Sequence, residues 1–319
     1  MKQTILVPAI LVLSVVSLSF AETTDEEQLK ALALEALAKL ETVKAVPIQR
    51  TTDPGAQWFP DASFGLFMHW GIHSVPGVNP SWAMMKGYPA AGSDDPAVHG
   101  PRYYDWAAKF NPQNYNPEKW IAAAKKAGMT YAVLTTRHHD GYALWPSNYG
   151  NLSTKQYMNG RDLLKPYVDA CRKYGLKVGF YYSCPDWYIS GWYKDIIFGK
   201  PYTCPPGSIP FDSEEYYKYV TGQLSELLTR YGKIDIMWFD GGSLYPEKTL
   251  QWIRELQPHI LINDRYNGTG DYSTPEGQTD RPPDSPGPAG DQNDLILKVH
   301  REPPAQMRNA EFGMRNKKA

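Results

Sequence analysis

The feature that most constrains the fold is a repeated alternation of strand-like and helix-like segments from Phe64 onward. The predicted strands are 64–70, 129–136, 176–183, 233–240 and 259–264, and the predicted helices are 117–127, 161–174, 213–231 and 246–256. Gly128, Gly175 and Gly232 each lie between a helix and the next strand, where a glycine commonly ends a helix. This alternation predicts a parallel sheet with crossover helices, hence an α/β barrel or an open α/β sheet.

The number of strand–helix units bears on the choice between a barrel and an open sheet. Five units are visible, whereas a closed barrel needs eight. The chain after Asp264 contains a loop rich in Gly, Pro and Asp at 267–290 and one weak apolar run at 295–299. Over residues 51–290 we therefore expect either an open sheet or a barrel that is irregular or incomplete, followed by an atypical tail at 291–319.

The N-terminus predicts export from the cytoplasm. Lys2 precedes an apolar run at 5–20, and small residues end the segment at Ala21. This is the pattern of a secretory signal peptide over 1–21, cleaved after Ala21, so the protein is expected to be secreted or periplasmic. Residues 22–50 are expected to form an amphipathic helical leader, with leucines at helical spacing. No segment is long and apolar enough to predict a membrane span.

Charge and cysteine content exclude several partners. The net charge is −1 with mixed signs, so no nucleic acid partner is predicted. The cysteines match no zinc pattern, and Cys184 and Cys204 either bridge a loop or remain thiols. Phosphate-binding glycine loops and the G-x-S-x-G motif of esterases are absent from the sequence, so no cofactor is predicted.

The strongest catalytic candidate is Asp240. It ends the apolar run at 234–239 and is followed by two glycines. Catalytic groups of α/β barrels lie at the carboxyl ends of strands. Trp238 is two residues earlier, so it shares a strand face with Asp240, and an aromatic wall beside a carboxylate suits a sugar ring. The alternative is that Asp240 only caps the next helix or braces a turn.

The other predicted strands also end in polar and aromatic residues. These residues are His69, His138, His139, Tyr181, Tyr182 and Arg265. Five strand ends with such residues favour a functional rim over packing. Adjacent residues of an extended segment point in opposite directions, so His138 and His139 are not expected to bind one ion, and no metal site is predicted.

A metal-free site centred on a carboxylate suggests glycoside hydrolysis, which requires a second carboxyl group. Asp240 is the candidate nucleophile. Glu276 is the nearest downstream loop carboxylate and the candidate acid/base. The alternative for Glu276 is an ordinary solvated loop residue.

Several motifs together resemble the α-L-fucosidases of glycoside hydrolase family 29. They lie at 58–72, 81–85, 131–141, 179–183, 237–241 and 263–265. The resemblance implies an irregular (β/α)8-like barrel and a retaining mechanism with a covalent fucosyl-enzyme on Asp240. It implies fucosylated oligosaccharides or glycoconjugates as substrates. The positions matching the family's fucose-binding residues are His69, Trp82, His138, His139, Trp238, one of Tyr181 or Tyr182, and Arg265.

Two departures from the family pattern bear on activity. Family members often have Glu before the Trp of the W-A-M-M segment, where this chain has Ser81. The family usually continues into a C-terminal β-sandwich, so a C-terminally truncated or frameshifted sequence is expected, and Glu276 is a substitute assignment. The alternatives are a catalytically impaired fucose-binding protein and a barrel glycosidase for another sugar. The sequence does not indicate an oligomeric state.

Overall fold

The computed structural model describes residues 13–47, 49–62, 64–85, 100–194, 202–266, 268, 270–274 and 295–299. Its strands are β1 (Phe64–Met68), β2 (Tyr131–Arg137), β3 (Lys177–Ser183), β4 (Ile236–Asp240), β5 (Leu261–Ile262) and β6 (Leu295–Val299). Its helices are α1 (Leu13–Thr42), α2 (Pro117–Lys126), α3 (Thr154–Tyr157), α4 (Leu164–Tyr174), α5 (Glu214–Arg230) and α6 (Pro246–Leu256). Each predicted strand and helix from 64 to 264 is present, with ends that differ by a few residues.

All six strands are parallel, in the order β5-β4-β3-β2-β1-β6. The predicted α/β fold with a parallel sheet is therefore confirmed. β6 lies within the segment predicted as an atypical tail, yet it joins the sheet, where Phe64 of β1 pairs with Leu295 and Met68 with Val299. In the described part of the chain, β5 and β6 do not pair with each other. The carboxyl ends of β1 to β5 lie at one edge of the sheet.

Side chains alternate between two faces of this sheet because successive residues of a strand point in opposite directions. The inner face carries Phe67, Val133, Tyr181 and Trp238 in one buried cluster. The other face belongs to the larger cluster that includes the helices. Tyr167 of α4 ties this helix-covered face together, because its hydroxyl donates to backbone carbonyl oxygens of β2 and β3 at 2.7 and 3.0 Å.

Helix α4 illustrates how the sequence sets the helix ends. Gly175 adopts φ +67°, a left-handed conformation that favours glycine, and its N–H donates to the carbonyl oxygens of Arg172 and Cys171. The chain then enters β3 two residues later. At α5 the hydroxyl of Ser213 accepts from the Tyr216 N–H and so caps the amino end.

Helix α1 packs along α5 and α6. Its buried face consists of Ala33, Ala36 and Leu40, whereas the side chains of Leu32 and Leu34 are exposed. Leu40 and the partly buried Leu37 belong to the predicted leucine spacing, which therefore identified part of the packed face, and Ala33 and Ala36 complete it. No described helix combines the length and apolar character needed to cross a membrane.

Candidate active site

Asp240 is the last residue of β4, and both of its carboxylate oxygens have partners. Arg265 Nη1 donates to Oδ1 at 2.8 Å, and the hydroxyl of Tyr181 donates to Oδ2 at 2.6 Å. Nε2 of His139 lies 3.4 Å from Oδ2. The Asp240 side chain is 21% exposed, so a ligand can reach its carboxylate. The residue that caps α6 is Tyr245, which contradicts a capping role for Asp240.

Aromatic rings line one side of this carboxylate. Tyr181 and Trp238 are paired residues of β3 and β4, and their rings stack with centroids 5.1 Å apart. The guanidinium of Arg265 lies 5.0 Å from the centre of the Trp238 ring, and Phe67 meets that ring edge-on. Trp238 therefore lies on the same face as Asp240, as predicted.

Three imidazoles extend this group of rings, since His69 and His138 both contact Tyr181, and each imidazole is held at Nδ1 by a hydroxyl oxygen. The pairs are His69 with Thr135 at 2.7 Å, His138 with Ser81 at 2.5 Å and His139 with Ser183 at 2.6 Å. The rings also contact each other, since the His138 centroid lies 5.1 Å from that of His69 and 4.4 Å from that of His139. These contacts set the ring orientations and direct Nε2 of His139 toward Asp240.

The expected opposite orientation of His138 and His139 is wrong. Both follow the end of β2 in a turn that is closed by the Gly141 N–H donating to the His138 carbonyl oxygen at 3.0 Å. Gly141 has φ +86°, and a turn removes the alternation that a strand would impose. Ligand atoms of His138, His139 and Asp240 lie within 4.8 Å of one another and could hold a metal ion. The absence of a metal stays a prediction.

Two tryptophans enclose His139. Trp82 meets this imidazole edge-on at 5.6 Å, whereas Trp187 stacks on it at 5.1 Å with 20° between the planes. The N–H of Trp187 donates to the His139 carbonyl oxygen at 2.7 Å. Sequence reasoning missed Trp187 because it lies in the loop after β3. Its position four residues beyond the strand end was the available signal.

Tyr182 does not belong to this group, which corrects its assignment as a binding residue. It is fully buried on the helix-covered face, with its hydroxyl donating to Gln223 at 3.1 Å. The guanidinium of Arg137 lies 4.4 Å from its ring centre. Of the two tyrosines at the end of β3, the structure thus brings Tyr181 to the site and directs Tyr182 away.

A buried carboxyl supports the imidazoles from behind. Asp140 accepts from the hydroxyl of Tyr103 and the N–H of Tyr142, both at 2.9 Å. Its own N–H donates to Ser81 Oγ, the atom that contacts His138. Burial raises the pKa of Asp140 to about 6. Ser81, the departure from the family pattern, is therefore part of the support for His138.

Glu276 lies outside the described residues. Thr274, two residues earlier in the sequence, is held next to the end of β5. Its N–H and hydroxyl donate to Asp264 Oδ1 at 3.0 and 3.1 Å.

A partly open carboxylate among imidazoles and aromatic rings, at the carboxyl edge of a parallel sheet, is an arrangement typical of carbohydrate-active α/β barrel proteins. The family model described as Alpha-L-fucosidase matches residues 35–286, so the chain belongs to the alpha-L-fucosidase family.

Relatives and solved structures agree with this assignment. The chain is 30% identical to bovine (Bos taurus) tissue alpha-L-fucosidase over 239 residues, which are 67% of this chain and 47% of that protein. It is similar to alpha-L-fucosidase isoenzyme 1 of Paenibacillus thiaminolyticus, with 34% identity, a TM-score of 0.55 and coverage of 70% and 55% of the two chains. It is also similar to Thermotoga maritima alpha-fucosidase in complex with fucose, with 30% identity, a TM-score of 0.56 and coverage of 69% of this chain and 56% of that chain. The chain spans about half the length of the curated relatives it matches.

Proposed function

We propose that this chain carries the catalytic site of a retaining exo-α-L-fucosidase that removes terminal α-L-fucose from fucosylated glycans. The observation that carries the proposal is the Asp240 carboxylate, held by Arg265 and Tyr181 and faced by His139. We infer that the sugar is fucose from the family of the chain and from the similar Thermotoga maritima structure, which is a complex with fucose.

Asp240 acts as the nucleophile in this proposal. Its carboxylate attacks the anomeric carbon while the bond to the leaving oxygen breaks, and water later hydrolyses the covalent fucosyl-enzyme. Arg265 and Tyr181 fix the carboxylate orientation, which favours attack from one direction. The imidazoles bind sugar hydroxyls, and Trp82 and Trp238 pack against the apolar parts of the sugar ring. No cofactor or metal takes part.

Glu276 is the proposed acid/base. A retaining enzyme needs this second carboxyl group about 5–5.5 Å from the nucleophile, so that it can protonate the leaving oxygen and then activate water. The support is that Thr274, two residues earlier, is held by Asp264 beside the end of β5. β5 pairs with β4, the strand that carries Asp240, and Glu276 follows Thr274 by two residues in the sequence.

Hydrolysis of an aryl α-L-fucoside tests the proposal. Asp240→Ala should abolish turnover and preserve the circular dichroism spectrum, whereas Asp169→Ala, which removes an exposed carboxylate of α4, should keep full activity. A fluorinated fucoside that traps the glycosyl-enzyme should label Asp240. Labelling of another residue would contradict the assignment.

Glu276→Ala provides a second, independent test. An aryl leaving group needs little protonation, so this variant should form the fucosyl-enzyme from an aryl fucoside but fail on natural fucosylated glycans. Unchanged activity on glycans would place the acid/base elsewhere.

Binding assays separate the proposal from its alternatives. L-fucose binding without turnover of any aryl glycoside would identify a fucose-binding protein. Turnover of a different aryl glycoside from a small panel would identify a glycosidase for another sugar.

We also propose that the protein is exported, with cleavage after Ala21. The support is the basic and apolar N-terminal pattern at 2–21. N-terminal sequencing of the exported protein should begin at Glu22, and retention of the chain in the cytoplasm would contradict export.

A further inference from the structure

Ser183, the last residue of β3, makes two very short contacts through one oxygen atom. Its Oγ lies 2.6 Å from His139 Nδ1 and 2.6 Å from the carbonyl oxygen of Pro185. The side chain is fully buried, so water does not compete for these contacts. Nδ1 is the ring nitrogen of His139 on the side away from Asp240, whose Oδ2 faces Nε2 at 3.4 Å.

The number of protons available at Ser183 decides which atom donates in each of these two contacts. A serine hydroxyl has one proton, and a carbonyl oxygen can only accept. If the Ser183 proton pointed to Nδ1, the hydroxyl and the Pro185 carbonyl oxygen would oppose their lone pairs at 2.6 Å. If that proton points to Pro185, His139 must donate from Nδ1 to the hydroxyl. Only this second arrangement makes both short contacts hydrogen bonds.

We propose that Ser183 is a positioning residue that keeps a proton on His139 Nδ1, so that the ring, whenever it is neutral, presents Nε2 as an acceptor beside Asp240. The hydrogen bond at one imidazole nitrogen sets the role of the other. In the neutral ring Nε2 is then an acceptor 3.4 Å from Oδ2, which itself accepts from the Tyr181 hydroxyl.

The consequence concerns which ligands the site accepts, and it rests on the proposed function. A sugar hydroxyl at this position donates its proton to Nε2 of the neutral ring. An analogue without that hydroxyl loses this hydrogen bond and binds more weakly. The tautomer of His139 thus selects for a ligand with a donor next to the reacting carboxylate.

The same device recurs at His69. The hydroxyl of Thr135 donates to the Met68 carbonyl oxygen at 3.0 Å and lies 2.7 Å from His69 Nδ1. The same proton count assigns the Nδ1–H tautomer to His69. At both His69 and His139 the imidazole therefore donates from Nδ1 to a hydroxyl that itself donates to a backbone carbonyl oxygen.

Nitrogen-15 NMR of the histidine-labelled full chain tests the tautomer directly. Long-range proton–nitrogen correlation spectra distinguish protonated from unprotonated ring nitrogens, and His139→Asn assigns the signals. Spectra are recorded over a pH series that extends well above the ordinary imidazole pKa of about 6.5. The expected result is a neutral His139 with a protonated Nδ1 and an unprotonated Nε2. A neutral ring protonated at Nε2 overturns the proposal.

Ser183→Ala supplies the functional test, with Ser225→Ala as the matched control. Ser225 is equally buried, but its hydroxyl donates to a carbonyl oxygen within α5. Ser183→Ala should populate the Nε2–H tautomer of His139 and raise KM for an aryl α-L-fucoside about 2- to 12-fold, the worth of one hydrogen bond. Ser225→Ala should change neither. An unchanged tautomer in Ser183→Ala overturns the positioning role.

The NMR result does not depend on turnover. If His139 shows the expected tautomer and no fucoside is hydrolysed, the proposed function fails while the role of Ser183 stands. If fucosides are hydrolysed and the tautomer is Nε2–H, the role of Ser183 fails while the function stands.

Discussion

Arg137→Met should destabilise the protein strongly because it leaves the buried carboxylate of Asp186 without its positively charged partner. Arg137 ends β2 and is fully buried. Its Nη1 donates to the Tyr219 hydroxyl at 2.6 Å and to Gln223 at 2.7 Å, and it lies 3.3 Å from Asp186 Oδ2. Its Nη2 donates to the carbonyl oxygens of Ser183 and Cys184. This guanidinium therefore anchors the start of the loop that carries Trp187.

The magnitude follows from what remains after the substitution. The Asp186 side chain is 2% exposed and still accepts from the Tyr219 hydroxyl and from the N–H groups of Tyr188 and Ile189. Its negative charge nevertheless loses its buried counterion. Removing one member of a buried ion pair costs about 3–5 kcal/mol. That is a large part of a typical stability of about 5–15 kcal/mol.

Urea unfolding followed by circular dichroism measures the effect. Arg137→Met should lower the free energy of unfolding by about 3–5 kcal/mol. The double variant Arg137→Met/Asp186→Asn removes the stranded charge and should be more stable than Arg137→Met alone. Lys165→Met breaks the exposed Lys165–Asp169 pair and should cost less than about 0.5 kcal/mol. If the double variant lost as much free energy of unfolding as Arg137→Met and Asp186→Asn lose in total, the argument would be refuted.

Further changes test the support of the site. Burial raises the pKa of Asp140 to about 6, so its stabilising contribution, fully present below about pH 4, is lost as pH rises through 6. Asp140→Asn should remove this part of the pH dependence, up to about 1.4 kcal/mol per pH unit, in urea unfolding from pH 4 to 7. Gly241→Ala should lower both stability and kcat, because Gly241 has φ +78° and a Cβ would lie 2.8 Å from Pro185. Gly207→Ala, with φ +80° and open space, should cost only the backbone strain of about 1–2 kcal/mol and leave kcat unchanged. Glu226→Gln should cost about 1–3 kcal/mol in thermal or urea unfolding, since an amide donor replaces an acceptor that is surrounded by donors; an unchanged stability would contradict this.

The sequence alone determined the features that depend on local backbone geometry. Apolar runs and helix-ending glycines such as Gly175 located β1 to β5 and the helices between them. The two-residue strand period placed Trp238 on the face of Asp240, and the rule that parallel strands converge at one edge brought His69 and Arg265 into the same site.

The tertiary structure decided what depends on long-range packing. Tyr181 and Tyr182 have the same local pattern, and only the helices packed against one face select Tyr181 for the site. The turn after β2 brings His138 and His139 together, and the loop after β3 adds Trp187. Strand period is a property of neighbouring residues. Which face is enclosed, and where a loop returns, is set by contacts between residues far apart in the chain, and a single sequence does not encode these in its local pattern.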